Sequence, residues 1–305
     1  MESFGRSSRS RDRHLIAKLR AVLESLPGRI LFTALGLLSV GYLISRSNPS
    51  EVVLIIRSAS HFFLWVTVLE LAVGTCSLLA LKSLYNKIEE IPLTAWIRAG
   101  LLGYLMMGLL PAGRAIAELT RAGILSRYFP AAETLKNATQ MQVVALYANF
   151  MISVPCTLAL FVMTGFSIST GLIAANAVVT LVLGSGLLYA VKHLKFSIKH
   201  LPKSAMLWET LGRGFQTIQY AVLIHAVGGK SGILNSLAAQ AFHLVGAATG
   251  EFVPAQLGFT ELSFSLQGKL LGLAAPSAIS IAVLAHSAQI IWMLIAALST
   301  AWVSE

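Results

Sequence analysis

Two prolines interrupt long apolar stretches of this chain, and each is followed by an acidic residue at the same distance. Glu118 lies seven residues after Pro111, and Glu261 lies seven residues after Pro254. Proline interrupts helical hydrogen bonding, and in lipid the freed backbone groups must find partners in protein or in a water-filled cavity. Paired breaks in two halves of a chain are typical of an inverted-repeat transporter with its site near the middle of the membrane. We therefore predict such a repeat; a chance match among membrane-helix prolines is the alternative.

The composition indicates a membrane protein with several crossings. Apolar residues make up 56% of the chain, charged residues only 12%, and the mean hydropathy is +0.74. The formal net charge of +10 does not indicate nucleic-acid binding, because the cations are clustered. Seven Lys and Arg residues lie within residues 1–29 and five more from Lys192 to Arg213. This clustering is the charge bias that orients membrane helices.

Six segments have the roughly 20 apolar residues that a spanning helix needs. They lie near residues 29–46, 53–81, 138–163, 169–191, 213–229 and 276–302. The preceding residues 1–28 are rich in Ser and Arg at first and then apolar on one helical face. We predict that they form a cytoplasmic segment, disordered and then amphipathic. Residues 29–305 are then a single transmembrane domain.

Two further stretches are apolar but do not form simple crossings. Ala95–Leu110 is short and ends at Pro111. The charges that follow share one helical face and are Arg114, Glu118 and Arg121. If the chain folds back at the proline, it returns to the side that the positive-inside bias prefers. This pattern predicts a re-entrant helical hairpin over about residues 95–128.

The second stretch, Ser231–Gly250, is long enough to span alone, but Glu251 and Pro254 follow directly. Its length does not decide between a full span and one arm of a hairpin over about residues 231–273. With a hairpin, the fold is all-α and polytopic, with six spanning helices and two re-entrant hairpins in an inverted repeat. The hairpins would open from opposite sides and meet tip to tip. Both termini would lie in the cytoplasm, as the charge bias requires.

Charged residues deep in apolar sequence are the candidate lipid-binding residues, because a charge at the bilayer centre costs roughly 2.5–3.5 kcal/mol. The set comprises Arg114, Glu118, Arg121, Glu251, Gln256, Glu261 and, on another segment, Glu70. The predicted hairpin breaks are Pro111, Pro254 and Gly258. Arginine presents a planar fork that suits phosphate, and a helix start adds N–H groups for the same anion. The alternative is that Arg114 and Glu118 only neutralise each other within a hairpin.

Other chemistry finds little support in the sequence. His225, His243 and His286 lack metal-ligand spacing and are predicted to be hydrogen-bonded interior residues. Cys76 and Cys156 lie in apolar segments and are predicted to be packing residues. Catalytic motifs are missing, and we expect no metal, no cofactor and no enzymatic activity.

At the candidate residues the chain resembles the transmembrane region of the lysylphosphatidylglycerol synthase family, also called flippase-like integral membrane proteins. The first family element is matched by Pro111, Arg114, Glu118 and Arg121, with Ala117 where glycine is usual. The second is matched by Pro254, Gly258 and Glu261, with Ala255 and Gln256 replacing glycines and Thr260 replacing an arginine. The resemblance implies a lipid held between two re-entrant hairpins and moved between leaflets. The change at Thr260 implies a different lipid.

The expected function is therefore that of a bacterial inner-membrane transporter for a lipid with a polar, phosphate-containing headgroup. The soluble aminoacyl-transferring domain of the synthases has no counterpart in the chain, so we expect the translocation half alone. One alternative is a membrane-embedded enzyme in which Glu118 and Glu261 act as acid and base. Another is a non-transporting membrane partner of a separate lipid-modifying enzyme. A homo-oligomer is compatible with the sequence.

Overall fold

The computed structural model describes residues 26–85, 91–110, 112–193 and 202–302. Residues 1–25 of the predicted amphipathic segment, and the predicted break at Pro111, lie outside the described residues. Every regular element in the described ranges is helical. The α-helices are α1 (Leu26–Arg46), α2 (Pro49–Ser58), α3 (Phe63–Lys82), α4 (Leu93–Leu109), α5 (Gly113–Leu125), α6 (Ala131–Thr164), α7 (Ile168–His193), α8 (Lys203–Ala226), α9 (Ile233–Thr249), α10 (Phe259–Gln267) and α11 (Ala275–Trp302). Short 3₁₀ turns cover Ala59–Phe62, Pro254–Gln256 and Gly268–Leu271.

Four helical segments are long and apolar enough to cross a membrane, as a multi-pass membrane protein requires. They are Pro49–Lys82, Ala131–Thr164, Ile168–Ala190 and Ala275–Ser299. The first consists of α2 and α3, joined by a 3₁₀ turn. These segments match four of the six predicted spans and extend two of them by several residues at their N-terminal ends.

The remaining two predicted spans differ from the structure. The span predicted at residues 29–46 lies within α1, of which the part Leu37–Arg46 is apolar but shorter than a spanning helix. The predicted start of the other, at residue 213, is wrong, because α8 already begins at Lys203. Its 24 residues would reach about 36 Å at 1.5 Å per residue, which is enough to cross a bilayer. Its sequence is too polar for apolar counting because it buries Glu209 and several glutamines inside the protein.

Prolines explain where several helices start. Pro92, Pro130 and Pro202 are extended residues that directly precede α4, α6 and α8. Proline fits at a helix start because its missing N–H is not needed there. The residues before the two predicted breaks, Leu110 and Val253, are also extended. A following proline disfavours helical geometry at the preceding residue, so the end of α4 follows from local sequence, whereas α9 already ends at Thr249, before the effect of Pro254 applies.

The described residues contain the same order of elements twice. The first unit consists of α3, α4, α5 and α6, the second consists of α8, α9, α10 and α11, and α7 connects them. Both α4 and α9 have 17 residues. The 13 residues of α5 correspond to the nine residues of α10 and the four-residue 3₁₀ turn that continues it. The two units therefore share their order of elements, as the predicted repeat requires.

The backbone at the two breaks adopts the same unusual conformation. Ala112 has φ 53° and Ala255 has φ 50°, both in the left-handed region. Each alanine directly follows a proline in the sequence. Positive φ is uncommon for a residue that carries a Cβ. Its recurrence directly after the proline in both units strengthens the case for a repeat, although Ala112 immediately precedes α5 and Ala255 lies four residues before α10.

The first helices of the two units run in opposite directions. Gln219 of α8 donates to the carbonyl oxygen of Val66 and to the carboxylate of Glu70, while Gly212 lies beside Cys76. Higher numbers on α3 therefore meet lower numbers on α8. Packing is also exchanged between units, since α4 packs on α11 and α9 packs on α6. These directions and contacts fit an inverted repeat.

In each unit the two short helices form an antiparallel pair. In the first, Gly103 lies opposite Arg121. In the second, Gly246 lies opposite Thr260, and Ser263 donates to the carbonyl oxygen of Phe242. With 17 residues, α9 spans about 25 Å and is shorter than the roughly 30 Å hydrocarbon core. These contacts favour the hairpin-arm alternative for Ser231–Gly250 over a full span.

The apolar core falls into two clusters that support the two hairpins. One joins the second hairpin to α8 and α11, with Phe242 and Phe264 packed edge to face at a centroid distance of 5.8 Å. The other lies at the base of the first hairpin around Trp96, Leu125 and Met141. The polar residues described next lie between the hairpins and α3 and α8.

Candidate functional site

The two breaks contact each other directly. The backbone N–H of Ala112 donates to the carbonyl oxygen of Glu251 at 3.1 Å. Helix α4 also packs against the 3₁₀ turn Pro254–Gln256. Such a contact is what a tip-to-tip arrangement requires, and it places the candidate residues of both units in one region.

Arg121 is buried between the arms of the first hairpin. Its Nη1 contacts Glu118 Oε1 at 2.6 Å, and the two side chains are only 6% and 3% exposed. Nη1 also donates to Ser77 Oγ of α3 at 3.5 Å. On the facing arm, a Cβ at Gly103 would collide with the Arg121 side chain. Gly103 thus makes room for a guanidinium inside the hairpin.

Arg114 reaches out of its hairpin to the other unit. Its Nη2 forms an ion pair with Glu209 Oε1 of α8, and its own carbonyl oxygen accepts a bond of 2.9 Å from Gln142 Nε2 of α6. Glu118 and Glu251 lie within electrostatic range of this guanidinium. Arg114 remains 24% exposed, so it is the more accessible arginine of the hairpin. The alternative in which Arg114 and Glu118 pair only with each other is therefore wrong, because each has a different direct partner.

Helix α8 contributes site residues that the sequence reasoning missed. Glu209, Arg213 and Gln216 follow the same i, i+4, i+7 spacing as the charged face of α5. Arg213 Nη1 donates to Gln216 Oε1 at 3.0 Å. Gln216 is also bonded to His243 at 3.1 Å and to Gln240 at 3.0 Å, both on α9. The spacing of these residues, which repeats that of α5, could have revealed them. Apolar counting started this helix at residue 213, however, and so left Glu209 outside it.

Several buried polar atoms in this region have no hydrogen-bond partner among the described residues. They are Glu118 Oε2, Arg121 Nε, Arg213 Nε, Gln240 Oε1 and Thr260 Oγ1. Buried polar groups in folded proteins are almost always hydrogen-bonded to protein or water. The unpartnered atoms therefore mark where water or the polar part of a ligand can supply the missing bonds.

Glu70 is enclosed and fully bonded. Tyr104 of α4 donates to its Oε1 at 2.5 Å, and Gln219 of α8 donates to its Oε2 at 3.0 Å. The residue is 4% exposed. In this conformation Glu70 connects the first hairpin to α8 and positions both.

Glu261 is also occupied within the protein. Gly258 N–H donates to its Oε2 at 2.8 Å, and His286 Nδ1 lies 2.7 Å from its Oε1. Only 1% of the residue is exposed. Glu261 therefore stabilises the start of α10, where an acid complements the exposed N–H groups of the first turn. It is the third residue of its helix, whereas Glu118 is in the second turn of α5, so the two acids are not structurally equivalent.

The remaining predicted residues lie at the second break. Pro254 is buried, and Glu251 and Gln256 are partly exposed. Gln256 has φ 57° and Gly258 has φ 85°, so the left-handed region is used repeatedly before α10 begins. Glycine is favoured there because it has no Cβ. More residues therefore separate Pro254 from α10 than separate Pro111 from α5.

The histidines fall into two classes. His243 and His286 are buried and hydrogen-bonded, as predicted. The prediction for His225 is wrong, because it is exposed at the end of α8 and its ring stacks edge-on against Phe62 at 5.3 Å. Within the described ranges, His, Cys, Asp and Glu form no cluster that could hold a metal ion.

Comparisons with known proteins do not identify the family of this chain. It matches no family model, no curated protein and no solved structure. The resemblance carried by Arg114, Glu118 and Arg121 therefore stays an expectation.

Proposed function

We propose that this chain is a flippase-like membrane transporter that binds the phosphate-containing headgroup of a lipid where the two hairpin breaks meet. It then moves the lipid between leaflets. The observation that carries the proposal is the cluster of Arg114, Arg121 and Arg213, in which Arg121 is buried and the other two are partly exposed, beside the contact between Ala112 and Glu251. Arginines inside an apolar protein are expensive, which makes a role in binding the default explanation.

The donors of this cluster suit a phosphate group. A guanidinium has five N–H donors, and Arg114 gives one hydrogen bond to the described residues, the one to Glu209. Arg213 Nε and Arg121 Nε are buried without a partner among the described residues. A phosphate at this place would accept charge-assisted bonds from several planar forks, the geometry in which arginine binds it best. Glu118 and Glu209 hold the arginines in place and limit the net positive charge.

The repeated architecture supports movement of the lipid as well as binding. In inverted-repeat transporters one unit rocks against the other around a central site. Here the breaks are joined by the backbone bond from Ala112 to Glu251, and the ion pair from Arg114 to Glu209 also joins the units. A headgroup that takes over Arg114 would weaken this connection between the units. Binding would thereby be coupled to their separation.

The proposal includes a specific membrane arrangement. The crossings are α1, α2 with α3, α6, α7, α8 and α11, which gives six spans. The hairpins α4–α5 and α9–α10 enter from opposite sides as re-entrant elements. Both termini then lie in the cytoplasm of a bacterium, with the protein in the inner membrane, and a fluorescent protein fused after Glu305 should be fluorescent. A periplasmic phosphatase active at that position would contradict this arrangement.

The function is tested by leaflet exchange in vesicles that contain only the purified protein. We expect the wild-type protein to accelerate exchange of a labelled anionic phospholipid without changing it chemically. Arg114→Ala should slow exchange at least about tenfold, since a charge-assisted bond contributes roughly 1.5–3 kcal/mol. Arg114→Lys should also be impaired, because a point charge does not reproduce the fork. The matched control is Arg57→Ala, at an exposed arginine on α2.

Folding must be checked in this experiment because removal of Arg114 leaves Glu209 without its direct partner. Breaking a buried pair costs on the order of 3–5 kcal/mol, so each variant is first tested for monodispersity and thermal stability. Exchange at the wild-type rate by a well-folded Arg114→Ala protein would contradict the site. A covalently modified lipid produced by the wild-type protein alone would identify an enzyme instead.

A further inference from the structure

A cavity lies at the base of the first hairpin, at the opposite end from its break. It has a volume of about 190 Å³ and opens between the start of α4 and the end of α5. Its walls include Arg98, Leu102, Thr120, Gly123, Arg127 and Tyr128. None of these residues belongs to the cluster at the break. The cavity is therefore a separate feature of the hairpin.

The lining combines cations with apolar surface. Arg98 comes from α4 and Arg127 follows α5, so two guanidinium groups approach from the two arms. Leu102 adds an apolar wall, and Tyr128 lies at the rim with 47% of its surface exposed. Exposed tyrosine is common at membrane interfaces, where an apolar ring and a polar hydroxyl are both satisfied. These groups suit an amphipathic anion.

Gly123 lines the cavity, and no neighbouring group requires a glycine at this position. Glycine inside a helix costs stability relative to alanine, and close contact with a neighbouring group is one reason for its presence. At Gly103 the reason is close contact, because a Cβ there would collide with Arg121. At Gly123 no described atom outside the adjacent backbone of its own helix lies within 4 Å of the place where a Cβ would be. The missing side chain therefore leaves the floor of the cavity open.

The size and position of the cavity restrict its ligand. A water molecule occupies about 30 Å³, so the cavity holds roughly six waters. That space accommodates a phosphate group and the glycerol attached to it, but not a whole lipid. Acyl chains would have to lie along the outside of the hairpin, where Ile97 and Leu119 are exposed apolar residues. Lys82 and Lys136 lie at the same end of the neighbouring helices α3 and α6.

We propose that this cavity binds the phosphate of an anionic phospholipid from the leaflet at the base of the first hairpin. Arg127 contacts the phosphate, Arg98 adds positive charge to the wall of the same cavity, and the acyl chains stay in the bilayer. Positive residues at this end mark the cytoplasmic side, whose leaflet carries anionic lipid. The site does not depend on transport at the hairpin breaks. It requires only that the hairpin base lies at a membrane surface.

The test compares lipids with a soluble phosphate on the purified full-length protein. Native mass spectrometry measures binding of phosphatidylglycerol, of phosphatidylcholine with the same acyl chains, and of glycerol 3-phosphate. Gly123→Leu fills the cavity, and Arg127→Gln removes its exposed cation. Gly123→Ala controls for the change in helix propensity. Lys269→Gln controls for the lost charge, since Lys269 is an exposed cation at the base of the second hairpin.

Each variant is compared with its wild-type parent, and only the lipid binding that is lost in Gly123→Leu or Arg127→Gln is assigned to the cavity, so that lipid bound at the breaks does not contribute. We expect phosphatidylglycerol to bind more tightly than phosphatidylcholine, and Gly123→Leu to weaken it at least about tenfold. Arg127→Gln should weaken it severalfold, and both controls should match the parent. Unchanged phosphatidylglycerol binding in Gly123→Leu with parental thermal stability would overturn the proposal. If Gly123→Leu is unstable, the affinities of Arg127→Gln and Lys269→Gln for phosphatidylglycerol are compared instead. Equal affinities would overturn the proposal. Equal binding of glycerol 3-phosphate would also overturn it, because the site would then be one for soluble phosphate.

Discussion

The two hairpins share one framework but fill it in opposite ways, as a glycine in each demonstrates. In the first hairpin, a Cβ at Gly103 would collide with the Arg121 side chain. In the second, a Cβ at Gly246 would lie 2.7 Å from the Cα of Thr260. The first hairpin therefore holds a guanidinium between its arms, whereas the arms of the second meet backbone against backbone. The same fold element carries charge in one unit and provides tight packing in the other.

The partners of the polar residues differ in the same way. Arg114 of the first hairpin is paired with Glu209 of the second unit. Glu261 of the second hairpin is bonded to Gly258 and His286, both within its own unit. The first hairpin is thus sensitive to how the units are placed, while the second is self-contained. We infer that the first hairpin binds the ligand and the second serves as its rigid counterpart.

The long helix after each hairpin fixes it in a comparable manner. Gln142 of α6 bonds to the carbonyl oxygen of Arg114, and His286 of α11 bonds to Glu261. In each hairpin the contact is made to the first turn of its second helix, which is α5 in the first hairpin and α10 in the second. Thr260 occupies the place where the resembling family has an arginine, and it is 1% exposed. The second hairpin therefore offers no arginine to the anion at that position, and the first hairpin would supply the hairpin arginines that bind it.

The largest expected effect comes from removing the guanidinium inside the first hairpin. Arg121→Ala leaves the buried Glu118 without its direct partner, which should lower stability by about 3–5 kcal/mol. Thermal unfolding in detergent measures the change. The double variant Arg121→Ala with Glu118→Ala should recover much of the loss, since no unpaired buried charge remains. A single variant within about 1 kcal/mol of the wild type would show that the pair is not enclosed as described.

The glycine pair gives an intermediate effect that separates the two hairpins. Gly246→Ala should destabilise the protein by about 1–3 kcal/mol, because the backbone of Thr260 has little room to move. Gly103→Ala should cost less stability, because the Arg121 side chain can shift. It should instead slow lipid exchange, since the shift displaces a site arginine. Equal losses of stability in the two variants would mean that the hairpins are packed alike.

The smallest effects are expected from neutralising the two acids without changing their size. Glu118→Gln weakens the hold on Arg121 and should slow lipid exchange. Glu261→Gln keeps a hydrogen-bonding side chain beside His286 and should cost about 1 kcal/mol of stability with exchange nearly unchanged. Vesicle exchange and thermal unfolding are measured on both proteins. If Glu261→Gln slows exchange as much as Glu118→Gln, the second hairpin also contacts the lipid.

Local chemistry explains what the sequence predicts well. Pro111 sets the helix end before the first break, and Pro254 keeps the residue before it out of helical geometry at the second, so the interruption between the two helices of each pair follows from neighbouring residues. The charged face of α5 follows from helical periodicity, which places Arg114, Glu118 and Arg121 together. The four most apolar helical segments follow from hydropathy, because each is long and apolar enough to cross a membrane.

Tertiary contacts explain what the sequence does not predict. Glu209 and Arg213 lie in a helix that is polar because protein surrounds it, so apolar counting misplaces its start. Glu261 shares the distance of Glu118 from a proline, yet α10 begins later after its break than α5 does. The number of residues after a proline does not fix where the next helix starts. Partner choice, such as Arg114 with Glu209, depends on packing between units.

The central claim is that the two hairpins enter the membrane from opposite sides and meet at their breaks. Single cysteines at the two ends of each hairpin test it in a protein whose native Cys76 and Cys156 are replaced. The four positions are Leu93 and Tyr128 for the first hairpin and Ser231 and Lys269 for the second. Labelling with a membrane-impermeant thiol reagent, in intact cells and in inverted vesicles, reports the side. We predict that Leu93→Cys and Tyr128→Cys react only from the cytoplasmic side and that Ser231→Cys and Lys269→Cys react only from the opposite side. Labelling of Ser231→Cys and Lys269→Cys from different sides, or of all four from one side, would contradict the account.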